Sequence, residues 1–344
     1  MRTGLLLGLM LLLLILTGCG RANQAPPDHC FWGVALEGYP ITAARLARVE
    51  KELGFRPQLV LFYLQWPAPG GSGEFPQASL DAIWQRGAVP CLTWEPLYLQ
   101  DKGEVAIPYE QILGGDYDAY LTRFARQAAA WGQPLIIRLA HEMNLKRYHW
   151  GTDLEHYGPQ SPAIYQRLYR YVVDIFKKGG AYQVFWAFCP NAESLPNPAH
   201  EAGAGWNRAG NYYPGDDYVD ILGMDGYNWG TTQTLEKHGW QSQWRSFQEI
   251  FGPLYKELRT LAPHKPLLVF ETASVRQGGD KTAWIKDAIP VLRAWQVQGI
   301  IWFQVNKEVD WRLNAGEDLS YVSLITEATS GAQQWLKNLT SNLR

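Results

Sequence analysis

The chain has 344 residues, with 31 basic and 33 acidic side chains and a formal net charge of −2. That length suits one large domain or two small ones, and without a block of like charge there is no basic footprint for a nucleic acid. The surplus is aromatic, 16 Trp and 18 Tyr: such rings either fill a large core or cover the apolar faces of sugars while their N–H and O–H groups reach hydroxyls.

Residues 1–18 read as a signal peptide, because Arg2 is followed by an apolar run through Leu16 that is short of the roughly 20 residues a membrane span needs. The end of this leader, "LTGC", resembles the bacterial lipobox. The resemblance implies that Cys19 is lipidated and becomes the first mature residue, anchoring the protein to a membrane of the cell envelope, facing the periplasm or the exterior. Plain secretion is the alternative. Residues 19–29, broken by Pro26 and Pro27, read as a polar tether, and residues 30–344 as a single domain. Of the remaining cysteines, Cys30, Cys91 and Cys189 lack metal-ligand spacing and are odd in number. They read as small buried hydrophobes, with one disulfide as the alternative.

Beyond the tether, short apolar runs alternate with amphipathic ones. Strand candidates begin at Phe31, Leu59, Val89, Pro134, Gln183, Val219, Pro266 and Gly299; their apolar parts are too short for helices of usual length and rich in branched or aromatic residues. Between them lie helical patterns such as "ITAARLARVEKELG", "DAYLTRFARQAAAWG" and "WRSFQEIFGPLYKELRTLA". In "SPAIYQRLYRYVVDIFKKGG", Ile164, Leu168, Tyr171, Val172 and Ile175 share one face, Ser161 is the expected N-cap, and Gly179 with Gly180 is the stop. Eight strands alternating with helices spell an α/β fold, the (β/α)8 TIM barrel. An open doubly wound sheet is the runner-up, but "ALEGYP" after the first strand is no glycine-rich phosphate loop.

A barrel puts its active site at the C-terminal ends of its strands. Those ends carry Glu37, Trp66, Glu95, His141, Glu142, Asn144, Asn191, Asp225, Tyr227, Glu271, Trp302 and Gln304. His141 and Glu142 do not open a zinc helix, because the position four beyond His141 is Leu145 rather than a second histidine. Retaining glycoside hydrolysis needs two carboxyl groups roughly 5 to 5.5 Å apart, one protonated and one ionised. Glu142, ending the fourth strand, and Glu271, ending the seventh, are the pair closure brings to one cavity. Glu271 is the nucleophile, held charged by a donor such as Tyr227; Glu142 keeps its proton through burial and the charge of Glu271. His141 and Asn144 orient Glu142 or bind sugar hydroxyls. Arg138, inside a strand, is expected to neutralise a core carboxylate, Glu95 or Glu37.

Together "RLAHEMN", "YYPGDDYVDILGMDGYNW", "VFETAS" and "IIWF" resemble glycoside hydrolase family 26, endo-acting retaining enzymes best known as β-mannanases and including mixed-linkage glucanases and xylanases. The resemblance spans roughly Phe31 to Arg312. It implies that Glu142 is the acid/base, Glu271 the nucleophile, Tyr227 the tyrosine bonded to the nucleophile, His141 the histidine beside the acid/base, and Trp302 a platform under the bound sugar. It implies a polysaccharide substrate, most of all β-1,4-mannan, with no metal or organic cofactor. Asp225 joins the substrate-binding set.

One departure lies five residues past Glu142, where the family commonly carries tryptophan and this chain has Arg147, with Trp150 further on. Arg147 either binds an acidic sugar through its guanidinium fork or pairs with a loop carboxylate while Trp150 or Tyr148 supplies the platform. "KEVDWR" reads as a salt-bridged rim. A non-catalytic glycan-binding or polysaccharide-assembly barrel is the rival from another class, and transglycosylation would use the same two carboxylates.

Overall fold

A computed structural model describes residues 30–101, 103–151, 157–314, 316, 318 and 331–343. The expected signal peptide, the expected lipidation site Cys19 and the expected tether lie outside them. Every strand candidate forms. β1 (Phe31–Leu36), β2 (Leu59–Gln65), β3 (Val89–Glu95), β6 (Leu135–Leu139), β7 (Val184–Phe188), β8 (Ile221–Asn228), β9 (Leu267–Ser274) and β10 (Gly299–Phe303) pair in parallel and close into one barrel. Closure is made by β1 against β10, from Phe31 opposite Gly299 to Ala35 opposite Phe303. All five residues of β6, β7 and β10 are buried, as expected for parallel strands covered on both faces.

Helices α1 (Ala43–Leu53), α2 (Gln77–Trp84), α4 (Asp118–Trp131), α5 (Ser161–Lys178), α7 (Phe247–Leu261) and α8 (Lys281–Ala294) alternate with the strands, with short helices α3 (Tyr109–Leu113) and α6 (Leu235–His238) in the loops. α7 starts at a capping box, Ser246 and Glu249 each satisfying the other's backbone N–H. α5 differs from expectation. A 3-10 turn over Gly158–Gln160 leads directly into it and Gln160 is already helical, so Ser161 falls inside the helix, buried and making no cap. A capping residue must itself be extended, and Ser161 is already helical at φ −49° and ψ −45°. The glycine stop holds, with Gly180 at φ 77°.

A hairpin of β4 (Leu97–Gln100) and β5 (Gly103–Ala106), with no counterpart among the expected strands, rises from the end of β3. At the opposite end, the C-terminal helix Gly331–Leu343 sits against the start of the barrel: the Trp335 ring meets Phe31 at 5.5 Å, and the Gln333 amide donates to the carbonyls of Trp84 and Ala88. Much of the aromatic surplus is core. Trp32, Trp66, Trp94, Trp302 and Trp311 are among the largest fully buried side chains. Cys30, Cys91 and Cys189 are free, the last two buried.

Candidate active site

Alternation along β2, β3 and β6 turns Tyr63, Thr93 and Arg138 into the lumen, and Asp225 of β8 joins them from across it. Strict alternation from Leu268 would point Glu271 outward. Instead β9 carries one extra residue: Val269 pairs with Met224 but Glu271 with Asp225, and the register against β10 shifts at the same place. This bulge at Phe270 swings Glu271 inward, the usual work of a bulge beside a site.

Arg138 is the hub. Fully buried, it donates to Thr93 Oγ1 from Nε and Nη2 at 3.0 and 2.8 Å, to Asp225 from Nη1 and to Glu271 from Nη2. Its expected partners are therefore corrected. Glu37 lies at the surface paired with Lys307 at 3.2 Å, and Glu95 accepts from Gln65, because both carboxyls sit too high on the rim to reach a side chain in the middle of β6. Tyr227 donates its hydroxyl to the other oxygen of Glu271, so that carboxylate is held on both sides. Despite burial, which works against its charge, Asp225 and Glu271 keep Arg138 firmly protonated. His141, Asp225 and Glu271 bring three ligand-type atoms within 4.8 Å of one another, but Arg138 already supplies the positive charge to both carboxylates of that cluster.

Glu142 reaches the same cavity from beyond β6 by an unusual backbone path. Ala140 and Glu142 have φ of 45° and 52°, left-handed values that cost a non-glycine residue on the order of 1 kcal/mol or more and cluster at functional sites. Two backbone hydrogen bonds impose the path, Ala140 N to Trp94 O at 3.0 Å and Glu142 N to Cys189 O at 2.9 Å. Burial, and then the negative charge of Glu271, push Glu142 up to about 7; its hydrogen bond from Asn191, 2.5 Å, pulls the other way. The proton therefore sits on Glu142 up to neutral pH, beside a carboxylate anchored by Arg138. Burial also pushes Glu95 up to about 7, but that group lies against Gln65 and Glu271 is the least of its influences.

His141 is buried, its Nε2 3.0 Å from the Tyr148 hydroxyl and 4.0 Å from Glu271. Burial, with Arg138 and Arg147 nearby, drives its pKa well below the usual histidine value. The ring is neutral, and its contact with Glu271 is no ion pair.

Several expected sugar ligands are otherwise engaged. Asn144 is buried and fully used, donating to the carbonyls of Asn191 and Glu193 and to Ser194 Oγ while accepting from Asn191 N; it shapes the turn that aims Asn191 at Glu142. Asp225 is sealed beneath Arg138. Arg147 commits both terminal nitrogens to Glu104 on β5, at 2.7 and 2.8 Å, so the loop-carboxylate alternative holds and the reason for an acidic substrate goes with it. Trp150 is buried, donating to His141 O, with Tyr148 stacked on it at 4.6 Å and 7°; Tyr148 is the ring left at the cavity wall. Trp302 is corrected as a platform. It faces the helical layer, stacked on Trp32 at 6.1 Å and edge-on to Trp284 of α8, because residues 299, 301 and 303 take the lumen side of β10.

Phe303 and Trp311 stand where Trp302 was expected, packing on Tyr227 at 5.7 and 5.0 Å. The Trp311 segment is pinned from below by Lys281, only 2 % exposed, whose ammonium donates to the carbonyls of Trp311 and Arg312 at 3.0 and 2.7 Å. Asp310–Arg312 and Glu37–Lys307 form the salt-bridged rim expected of "KEVDWR". Tyr63, whose hydroxyl lies near Glu271, and Lys281 were missed. The alternation of "LVLFYLQW" with Tyr63 inward was the available signal; nothing in the sequence marks Lys281.

Comparison with known proteins gives a match of residues 110–253 to the model for Glycosyl hydrolase family 26. Endoglucanase H of Acetivibrio thermocellus is 35% identical over 240 residues, covering 69% of this chain and 24% of that protein. A mannan endo-1,4-beta-mannosidase of Bacillus subtilis is 25% identical over 165 residues, 43% of this chain and 42% of the relative. The chain thus spans about a quarter of the first relative's length and under half of the second's. Among solved structures, a GH26 beta-mannanase from Bacteroides ovatus aligns with TM-score 0.60 and 18% identity over 88% of this chain and 90% of that one. A Bacillus subtilis mannanase aligns with TM-score 0.58 and 18% identity over 86% and 85%. At that identity the two structures speak to the barrel alone. The family model and the curated relatives support a protein of the glycosyl hydrolase family 26 type, and the two structures support its barrel.

Proposed function

We propose that the protein is a retaining endo-β-glycanase that cleaves internal β-bonds of a polysaccharide, with β-1,4-mannan the first substrate to test. The observation that carries this reading is the asymmetry between two carboxyls sharing one cavity. Glu142 is protonated up to about pH 7, and Glu271 is clamped by Arg138 and Tyr227. A carboxyl that keeps its proton, beside one held by a guanidinium and a hydroxyl donor, divides the acid/base from the nucleophile. In the first step Glu142 gives its proton to the departing glycosidic oxygen while Glu271 attacks the anomeric carbon. Glu142, now ionised, then takes a proton from water as that water displaces Glu271.

Curated relatives named as mannan endo-1,4-beta-mannosidases support mannan. The higher identity to Endoglucanase H favours a second reading, a β-glucan. The lipobox-like "LTGC" supports attachment to the cell envelope through Cys19. Purified protein would be incubated with mannan and mixed-linkage glucan, following product size and anomeric configuration. A rapid fall in chain length with β-configured products, abolished in Glu271→Ala, is the expected result. Intact polymer with retained binding would favour the non-catalytic barrel instead.

A further inference from the structure

Large exposed apolar side chains are unevenly distributed. Tyr39, Leu99, Leu195, Leu235 and Trp240 lie on segments that leave the C-terminal ends of strands; among the described residues only Tyr182, before β7, marks the opposite end. Such side chains on a soluble surface often mark where something binds, and here they ring the catalytic face.

Trp240 is singled out by what it joins. Its ring, 44 % exposed, meets Trp229 at 5.6 Å; Trp229 meets Trp311 at 4.8 Å and Tyr227 at 6.4 Å; and Tyr227 holds Glu271. A continuous run of rings thus leads from the nucleophile to the surface. The loop carrying Trp240 is stapled at its base, where Gln233 N donates to Ser242 Oγ at 3.0 Å and Ser242 N returns a bond to Gln233 O at 3.2 Å. It is pressed against the β9 loop, where a Cβ on Gly230 would lie 1.9 Å from Gln277 O. The ring is held in place before any ligand arrives, which lowers the ordering cost of binding.

We infer that Trp240, on the loop that also exposes Leu235, is an outlying platform for a pyranose unit of the same polysaccharide strand whose scissile bond lies at Glu142 and Glu271. The inference rests on the glycanase reading and adds a subsite remote from the chemistry. The occupant is a neutral glycan strand, because the platform continues the run of rings from Tyr227 and the charged residues nearest in sequence, Glu236 and Lys237, are of opposite sign. A flat tryptophan face suits the CH-bearing face of such a sugar.

Trp240→Ala would be assayed on soluble mannan, on mixed-linkage glucan and on the shortest oligosaccharide the wild type still cleaves, with Tyr182→Ala as a control at the far end. The platform predicts a KM for polymer raised roughly tenfold, with kcat and turnover of the shortest substrate unchanged. An unchanged KM for polymer, or equal losses on polymer and shortest substrate, would overturn it. The same substitution in a Glu271→Ala background, run through a gel containing each polymer, reads binding without hydrolysis: weaker retardation supports the platform, and equal retardation refutes it. If the wild type degrades neither polymer, the glycanase reading fails, while the gel still judges Trp240 separately.

Discussion

Removing the Arg138 guanidinium while keeping its bulk, as Arg138→Met, would leave Asp225 and Glu271 facing each other in the lumen without their cation. Arg138 and Asp225 are fully buried and Glu271 nearly so. Breaking such a pair from one side costs about 3 to 5 kcal/mol, since the remaining charge is buried and unpaired. Thr93 Oγ1 also loses two donors. For a domain of this size that is a fall in melting temperature of roughly 5 to 8 °C. Thermal denaturation at pH 7 would measure it, alongside Asp225→Asn and the double variant. Because both substitutions act on one contact, the double variant should be more stable than the sum of the single losses by about 1 kcal/mol or more. A melting temperature for Arg138→Met within about 2 °C of wild type, or strictly additive losses, would refute the picture of Arg138 as the charge that holds the nucleophile.

Other substitutions separate the carboxyls and test the loop beneath the site. Glu142→Gln should abolish turnover of unactivated polymer, and wild-type kcat/KM should fall as pH rises through about 7, where Glu142 loses its proton. A raised folded-state pKa lends stability that is full below the unfolded value near 4.5 and lost on passing about 7, so wild-type stability relative to Glu142→Gln should decline across that window; a flat difference would count against the shift. Glu95, the other carboxyl raised to about 7, should be dispensable as an acid: Glu95→Gln is expected to keep the alkaline limb of the pH profile, and its loss would move the acid role there. Lys281→Met orphans two carbonyls and should cost about 2 kcal/mol at pH 7 by chemical denaturation. Burial lowers Lys281 to about 8 from 10.5, so the wild type regains stability as pH rises between those values and the gap to Lys281→Met should widen at pH 10; a narrowing gap would contradict the assignment.

The barrel was legible because each strand announces itself as a short branched or aromatic run and its helices by their periodicity. Glu142 and Glu271 were expected at strand ends; Glu142 lies past the end of β6, whereas Glu271 sits inside β9, which continues to Ser274. The sequence could not convey that Glu271 faces inward only through the bulge at Phe270, since alternation from Leu268 argues the reverse. Asn144, Asp225, Trp150 and Trp302 look like ligands in a list of polar and aromatic tips, yet all four are buried and bonded to protein. Which tip touches substrate depends on how far each strand rises, and β6 and β7 leave the ladder earlier than their apolar runs suggest. Arg147 could not be resolved without the hairpin, because Glu104 is 43 residues away in sequence and reaches it only once β5 folds over.

In the proposed reaction Glu271 bonds to the sugar while Glu142 supplies and removes the proton. Incubation with a fluorosugar glycoside that forms the covalent adduct quickly and releases it slowly, followed by peptide mass mapping, tests it directly. The adduct should appear on the peptide spanning 267–274, at Glu271, and be absent from Glu271→Gln. A label on Glu142, Glu95 or Asp225, or turnover that yields the inverted anomer with no adduct, would contradict the account.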